Sequence, residues 1–123
     1  MNYVMLIYET PANLESRKDQ ERDPYIAAWR AYHKALVAAG AYVDGRPLEE
    51  AATAATVRLR DGRRHVQDGP FAEAKEQLGG FFIFDAASLD AALEWAARCP
   101  ATASGAVEVR PIDVDYLDTV VSP

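Results

Sequence analysis

The segment Asp68-Gly69-Pro70-Phe71-Ala72-Glu73-Ala74-Lys75-Glu76-Gln77-Leu78-Gly79-Gly80-Phe81 sets acids, a lysine, a glutamine and three glycines between two apolar, strand-like runs. Pro70 fixes a backbone angle in its middle, and the glycines allow turns and close backbone approach. Neither a strand nor a helix requires this composition, so a pocket is expected here. On its C-terminal side Phe81-Phe82-Ile83-Phe84 reads as a strand apolar on both faces. On its N-terminal side Val57 and Leu59 alternate with Arg58 and Arg60, Asp61-Gly62 marks a tight hairpin, and the chain returns through His65-Val66-Gln67 to Asp68. Phe71 to Leu78 has room for a turn of helix that Gly79-Gly80 would stop.

Working outward, Tyr3 to Tyr8 is a continuous apolar run closed by Thr10-Pro11, short enough for a strand buried on both faces. A polar connection, Asn13 to Arg22, follows. Asp23-Pro24 then opens a helix, with Asp23 as N-cap and Gly40 as the stop, and Tyr25, Trp29, Tyr32, Leu36 and Ala39 form its core-facing stripe. Ala41-Tyr42-Val43 reads as a short strand and Pro47 to Ala52 as a loop. Ser88 caps a second helix that Pro100 ends, and Val107 to Arg110 forms the last strand before an acidic, apolar tail. The order is β-α-β, a hairpin, then β-α-β.

This order predicts an α+β fold: a ferredoxin-like split β-α-β sandwich with an inserted hairpin, one domain over residues 1–123. Both helices cover one sheet face. The two-sided apolar strands leave the other face to a second copy, so a homodimer through sheet faces is expected.

Lys and Arg number 13 against 19 Asp and Glu, a net charge of −6, which argues against a nucleic-acid partner. Arg58, Arg60, Arg63 and Arg64 gather on the hairpin and read as a solvated edge. The single cysteine, Cys99, excludes an internal disulfide and fits a reducing, cytoplasmic setting as a small buried hydrophobe. The apolar N-terminus reaches Glu9 too soon for a signal peptide or membrane span. Two distant histidines and one cysteine supply no metal-ligand spacing, and no phosphate loop, dinucleotide fingerprint or serine elbow is present. No cofactor is expected, which leaves acid–base chemistry or binding.

Through Asp68-Gly69-Pro70-Phe71-Ala72-Glu73 and Lys75-Glu76-Gln77-Leu78-Gly79-Gly80-Phe81, the chain resembles the YCII-related family, in particular its DGPF-domain branch. The likeness extends to Tyr3-Val4-Met5-Leu6-Ile7-Tyr8, Ala38-Ala39-Gly40, Ala91 to Ala96 and Val107 to Pro111, nearly the whole chain. It implies a dimeric α+β barrel. It also implies, for the shorter members, a first-helix histidine that approaches an acid in the cleft. The matching position falls near Trp29 here, and His33 lies one turn later. For DGPF-type proteins the resemblance further implies a regulatory link to extracytoplasmic-function sigma factors.

Asp68 and His33 are the catalytic candidates. Asp68 can act as a general base or substrate anchor, or cap the Gly69 to Phe71 amides as aspartates in turns do. His33 belongs to the residue type that exchanges protons near neutral pH, yet beside Trp29 and Val37 it also suits packing. Tyr8, Trp29, Phe71, Glu73 and Gln77 are the substrate-binding candidates, with Glu73 and Gln77 on one face of a helical turn. Three readings remain open. The first is an isomerase- or lyase-like enzyme on a small organic molecule, the second a ligand-binding or regulatory module, and the third a stable dimer without a site.

Overall fold

The computed structural model describes residues 1–19 and 23–122. Strands β1 (Asn2–Glu9), β2 (Tyr42–Pro47), β5 (Gln77–Asp85) and β6 (Ala106–Pro111) form an antiparallel sheet in the order β2-β5-β1-β6. Between β2 and β5 the chain makes a separate two-stranded ribbon of β3 (Ala55–Arg60) and β4 (Arg63–Asp68). The four-stranded sheet has ferredoxin-like topology with an inserted hairpin, as the element order predicts. Asp61 and Gly62 turn the ribbon with φ of 51° and 73°, the paired positive angles that a two-residue type I′ turn demands.

Helix α2 (Pro24–Ala38) begins where its sequence says it should: the Asp23 carboxylate accepts from the Tyr25 amide at 2.8 Å, with Pro24 in the first turn. Helix α3 (Leu89–Ala97) is capped by the Ser88 hydroxyl, which accepts from the Ala91 amide. Tyr32 and Leu36 of α2 and Ala92 and Ala96 of α3 close over Tyr3, Met5, Ile7 and Phe84 of the sheet. Phe84, Met5 and Leu36 are completely buried, each contributing about 1.5–3 kcal/mol through removal of apolar surface from water. Tyr32 donates its hydroxyl to the Trp95 carbonyl at 2.7 Å, which ties the two helices together.

Several local expectations need correction. Within one chain β1 alternates, with Tyr3, Met5, Ile7 and Glu9 buried and Asn2, Val4, Leu6 and Tyr8 half-buried. Residues 71–76 form bends and no helical turn, and β5 starts at Gln77 and runs through Gly79-Gly80. The glycines therefore lie inside a strand instead of ending a helix. The polar connection opens with helix α1 (Pro11–Glu15), capped by Thr10, and a 3₁₀ turn at Ser16–Lys18; Gln20, Glu21 and Arg22 lie outside the described residues. The tail holds a further helix, α4 (Val114–Val121), capped by Asp113.

The sheet face away from α2 and α3 carries Val4, Leu6, Tyr8, Leu78, Phe81 and Ile83 in its centre, by the pairing of β1 with β5. Glu108 and Arg110 flank them on β6, and Asp44 and Arg46 on β2, each couple ion-paired along its own strand. Among the described residues no helix is long and apolar enough to cross a membrane.

Candidate functional site

Glu9 breaks the pattern that builds the core. It continues the buried phase of Tyr3, Met5 and Ile7, yet it is a carboxylate, only 3% exposed and the one buried charged residue among those described. Burying such a charge is costly unless partners replace its water. Here they do. Thr10-Pro11 ends β1, α1 reverses the chain, and the following 3₁₀ turn brings Arg17 back so that Nη2 lies 3.0 Å from Glu9 Oε2. Tyr25, in the first turn of α2, donates its hydroxyl to Glu9 Oε1 at 2.6 Å. Arg17 Nη2 also donates to the Gly79 carbonyl at 2.9 Å, and Nη1 to the Leu48 carbonyl.

This cluster explains the double glycine. Ile7 faces Gly80 and Tyr8 faces Leu78, so Gly79 is the extra residue of a β-bulge in β5. A Cβ on Gly79 would fall 2.3 Å from Glu9 Oε2, and one on Gly80 would fall 2.9 Å from the Arg46 carbonyl oxygen of β2. Only hydrogen fits at either place.

Beside the cluster, α2 stands off from β1, β2 and β5 and leaves a cavity of about 510 Å³. Its wall is aromatic. Trp29 lies 6.0 Å from Phe82 and 6.1 Å edge-on from Tyr25, and Tyr42 lies 6.0 Å edge-on from Phe82. His33, one turn beyond Trp29, sets its ring edge-on to Tyr42 at 4.7 Å between centroids. Arg17, Arg30 and Lys34 line the cavity with Glu9 as the sole carboxylate, although the whole chain carries a net charge of −6; Arg46 borders it from β2 while its guanidinium pairs with Asp44.

The sequence-derived candidates fall in different places. Trp29 and His33 line the cavity together. Gln77 is not a lining residue: it pairs with Glu9 at the start of β5, and its side-chain carbonyl accepts from the Ala51 amide at 3.1 Å. Tyr8 occupies the opposite face of the sheet. Asp68 is exposed at the end of β4, across from Ala55, and is not a lining residue. Phe71 is 75% exposed, with the Arg58 guanidinium 4.9 Å from its ring centroid, and Glu73 is exposed in the bends that follow. The expected pocket between the first long helix and the Asp68 to Gly80 segment is thus formed at the glycine end alone. Sequence reading passed over Glu9 and Arg17, and it placed Tyr25 in the aromatic stripe of the first long helix without the carboxylate it serves. The available signal was a glutamate in phase with buried alternate residues.

Burial and the bond donated to Glu9 push the Tyr25 phenol well above its ordinary range, so it remains a neutral donor. Burial does the same to Tyr32, and it pushes the Cys99 thiol up to about 12. All three hold their protons more tightly folded than unfolded, where phenols ionise near ~10 and thiols near ~8.5. Above about pH 9 the unfolded state therefore binds fewer protons, and stability falls as pH rises toward 12. Urea midpoints from pH 7 to 11 are expected to be level and then to decline from about pH 9. Cys99→Ala should remove the earliest part of that decline, and a level profile in wild type would contradict it.

Fold and cavity together define a small α+β protein with a ligand-sized aromatic pocket between its first long helix and its sheet. Comparison with known proteins places it further: the YCII-related domain matches residues 1–114, and the chain belongs to that family. It is similar to an uncharacterized protein of Rhizobium meliloti (strain 1021), 37% identical over 116 residues, covering 91% of this chain and 92% of the relative. Among solved structures it is similar to the 5-chloro-2-hydroxyhydroquinone dehydrochlorinase from Burkholderia phenoliruptrix AC1100 in complex with 2,5-dihydroxybenzoquinone. That likeness has a TM-score of 0.53 at 22% identity and covers 92% of this chain and 94% of the other, a similarity of fold.

Proposed function

We propose that the chain is an acid–base enzyme, isomerase- or lyase-like, that binds a small, planar, anionic organic molecule in the α2 cavity and uses His33 to move a proton. The observation that carries this reading is the lining itself: flat aromatic walls, the cationic residues Arg17, Arg30 and Lys34 and one imidazole in a cavity of about 510 Å³. The neighbouring lining groups support His33. Glu9 is ion-paired with Arg17 and accepts from Tyr25, whose phenol keeps its proton. His33 supplies the one imidazole of the lining, the side chain most often used as a general acid or base. The dehydrochlorinase of like fold, held with a hydroxylated quinone, supplies a ligand class of the right shape.

The apolar centre of the open sheet face, half-buried apart from the exposed Leu78 and rimmed by ion pairs on both edge strands, supports a second copy as its cover, since stable interfaces have an apolar core and a polar rim.

The test uses 2,5-dihydroxybenzoquinone as probe, titrated calorimetrically into wild type and Trp29→Ala. Binding in wild type, weakened at least about tenfold by loss of the indole wall, is the expected result. Absent binding, or equal affinity in the two proteins, would refute the pocket.

A further inference from the structure

The register of the β3–β4 ribbon sorts its side chains into two unlike faces. Thr56, Arg58 and Arg60 alternate onto one face, across from Gln67, His65 and Arg63, while Val57, Leu59 and Val66 share the other with Arg64 and Asp68. The first face therefore holds three arginines, an imidazole and no carboxylate, in a chain of net charge −6. Arg60 stands directly across from Arg63, and like charges so placed destabilise a ribbon that is marginal on its own. Elsewhere Arg17, Lys18, Arg46 and Arg110 are ion-paired, yet among the described residues no carboxylate pairs with Arg58, Arg60 or Arg63.

The segment after the ribbon completes this face. Asp68 ends β4 and Gly69 turns the chain with φ of 101°, a backbone angle that favours glycine. The turn is tied down twice: the Gly69 amide donates to the Ala54 carbonyl at 2.7 Å, and the Thr56 hydroxyl donates to the Gly69 carbonyl at 2.9 Å. Beyond Pro70 the chain brings Phe71 back, with the Arg58 guanidinium over its ring at 4.9 Å from the centroid. That contact restrains a long side chain and leaves its N–H edges for a ligand. Between Thr56, Arg58, Arg60, His65 and Gln67 lies a groove of about 200 Å³. It is below the roughly 300 Å³ at which pockets for whole ligands begin, and it suits a small charged group. Solvation of a charged edge accounts for neither the groove nor the restrained guanidinium.

We propose that this groove binds the diphosphate group of a small soluble molecule, with Arg58, Arg60 and Arg63 as cationic donors and His65 and Gln67 as further N–H donors. Side chains on this face stand about 5 Å apart across the ribbon and about 7 Å along it, so neighbouring guanidinium forks can meet two linked phosphates. Guanidinium pairs bidentately with phosphate oxygens. A diphosphate concentrates several negative charges within the length of the groove and offsets the repulsion between Arg60 and Arg63. An acidic peptide brings one charge per side chain and needs a longer track. The site is independent of the α2 cavity, and it gives the exposed Phe71 ring a role.

The experiment titrates inorganic pyrophosphate into the full-length protein at fixed ionic strength, with affinity read by calorimetry and location by amide chemical shifts. Saturable one-to-one binding is expected, with shifts confined to residues 56–60, 63–67 and 71. Arg60→Gln should weaken it at least about tenfold, and Phe71→Leu, which releases the Arg58 guanidinium, about threefold. Arg64→Gln removes the same charge from the opposite face and should leave affinity within about twofold. All three positions are exposed, so the substitutions are compatible with folding. Absent saturation, equal losses in Arg60→Gln and Arg64→Gln, shifts centred on Trp29 and His33, or equal affinity for a tetraglutamate peptide would overturn the proposal.

Discussion

Arg17→Ala is expected to lower the free energy of unfolding by about 3 kcal/mol, a large share of a small domain's total. The reason is an asymmetry between making and breaking a buried pair. Arg17 offsets the desolvation of Glu9, ties the Gly79 carbonyl of the bulge and reaches Leu48, so its loss takes the cation from a buried carboxylate that keeps the Tyr25 hydroxyl, frees the Leu48 carbonyl and leaves the Gly79 carbonyl to the Leu48 amide. The guanidinium is about one-third exposed, which puts the cost at the low end of the range for buried pairs. Replacing both partners, Glu9→Leu with Arg17→Met, should recover most of the loss because no charge remains to be solvated. Urea unfolding of the three proteins decides it. A loss below about 1 kcal/mol in Arg17→Ala would show that water, and not Arg17, solvates Glu9.

His33→Gln is expected to slow proton transfer by about 10²–10⁴-fold while leaving affinity for the probe within about threefold. Glutamine keeps the bulk beside Tyr42 but cannot exchange a proton. The reaction to follow is exchange of the ring hydrogens of 2,5-dihydroxybenzoquinone in D₂O. A deuteron adds to a ring carbon as a hydroxyl proton leaves, and the reverse step expels the original hydrogen. Proton NMR reads the vanishing ring signal and calorimetry reads affinity. An unchanged rate would remove His33 from the chemistry, whereas a collapse of affinity would make it a binding residue.

Much of the architecture was legible because the signals were local. Asp23-Pro24 and Ser88 name helix starts, Asp61-Gly62 names a tight hairpin, and the apolar runs at Tyr3 and Phe81 mark the two central strands. The glycines at 79 and 80 were read as special, but their reason lay elsewhere in the chain: a carboxylate at residue 9 and a carbonyl at residue 46 occupy the space of their missing Cβ atoms. No window around the motif contains either. Residues 71–76 show the converse error, since an acid and a glutamine four apart suit a helix only where something shields its backbone. Asp68 drew attention through its neighbours, and the fold puts it at the end of an exposed ribbon. Trp29 and His33 were found by helical spacing, and tertiary packing alone shows that they share a cavity.

The most direct measurement is amide and side-chain chemical-shift mapping of the labelled protein during titration with 2,5-dihydroxybenzoquinone. Shifts concentrated at Trp29, His33, Tyr42, Gly79, Gly80 and Phe82 are the predicted result. Shifts centred on Asp68 to Glu73, or none at saturating probe, would contradict a ligand site between α2 and the sheet.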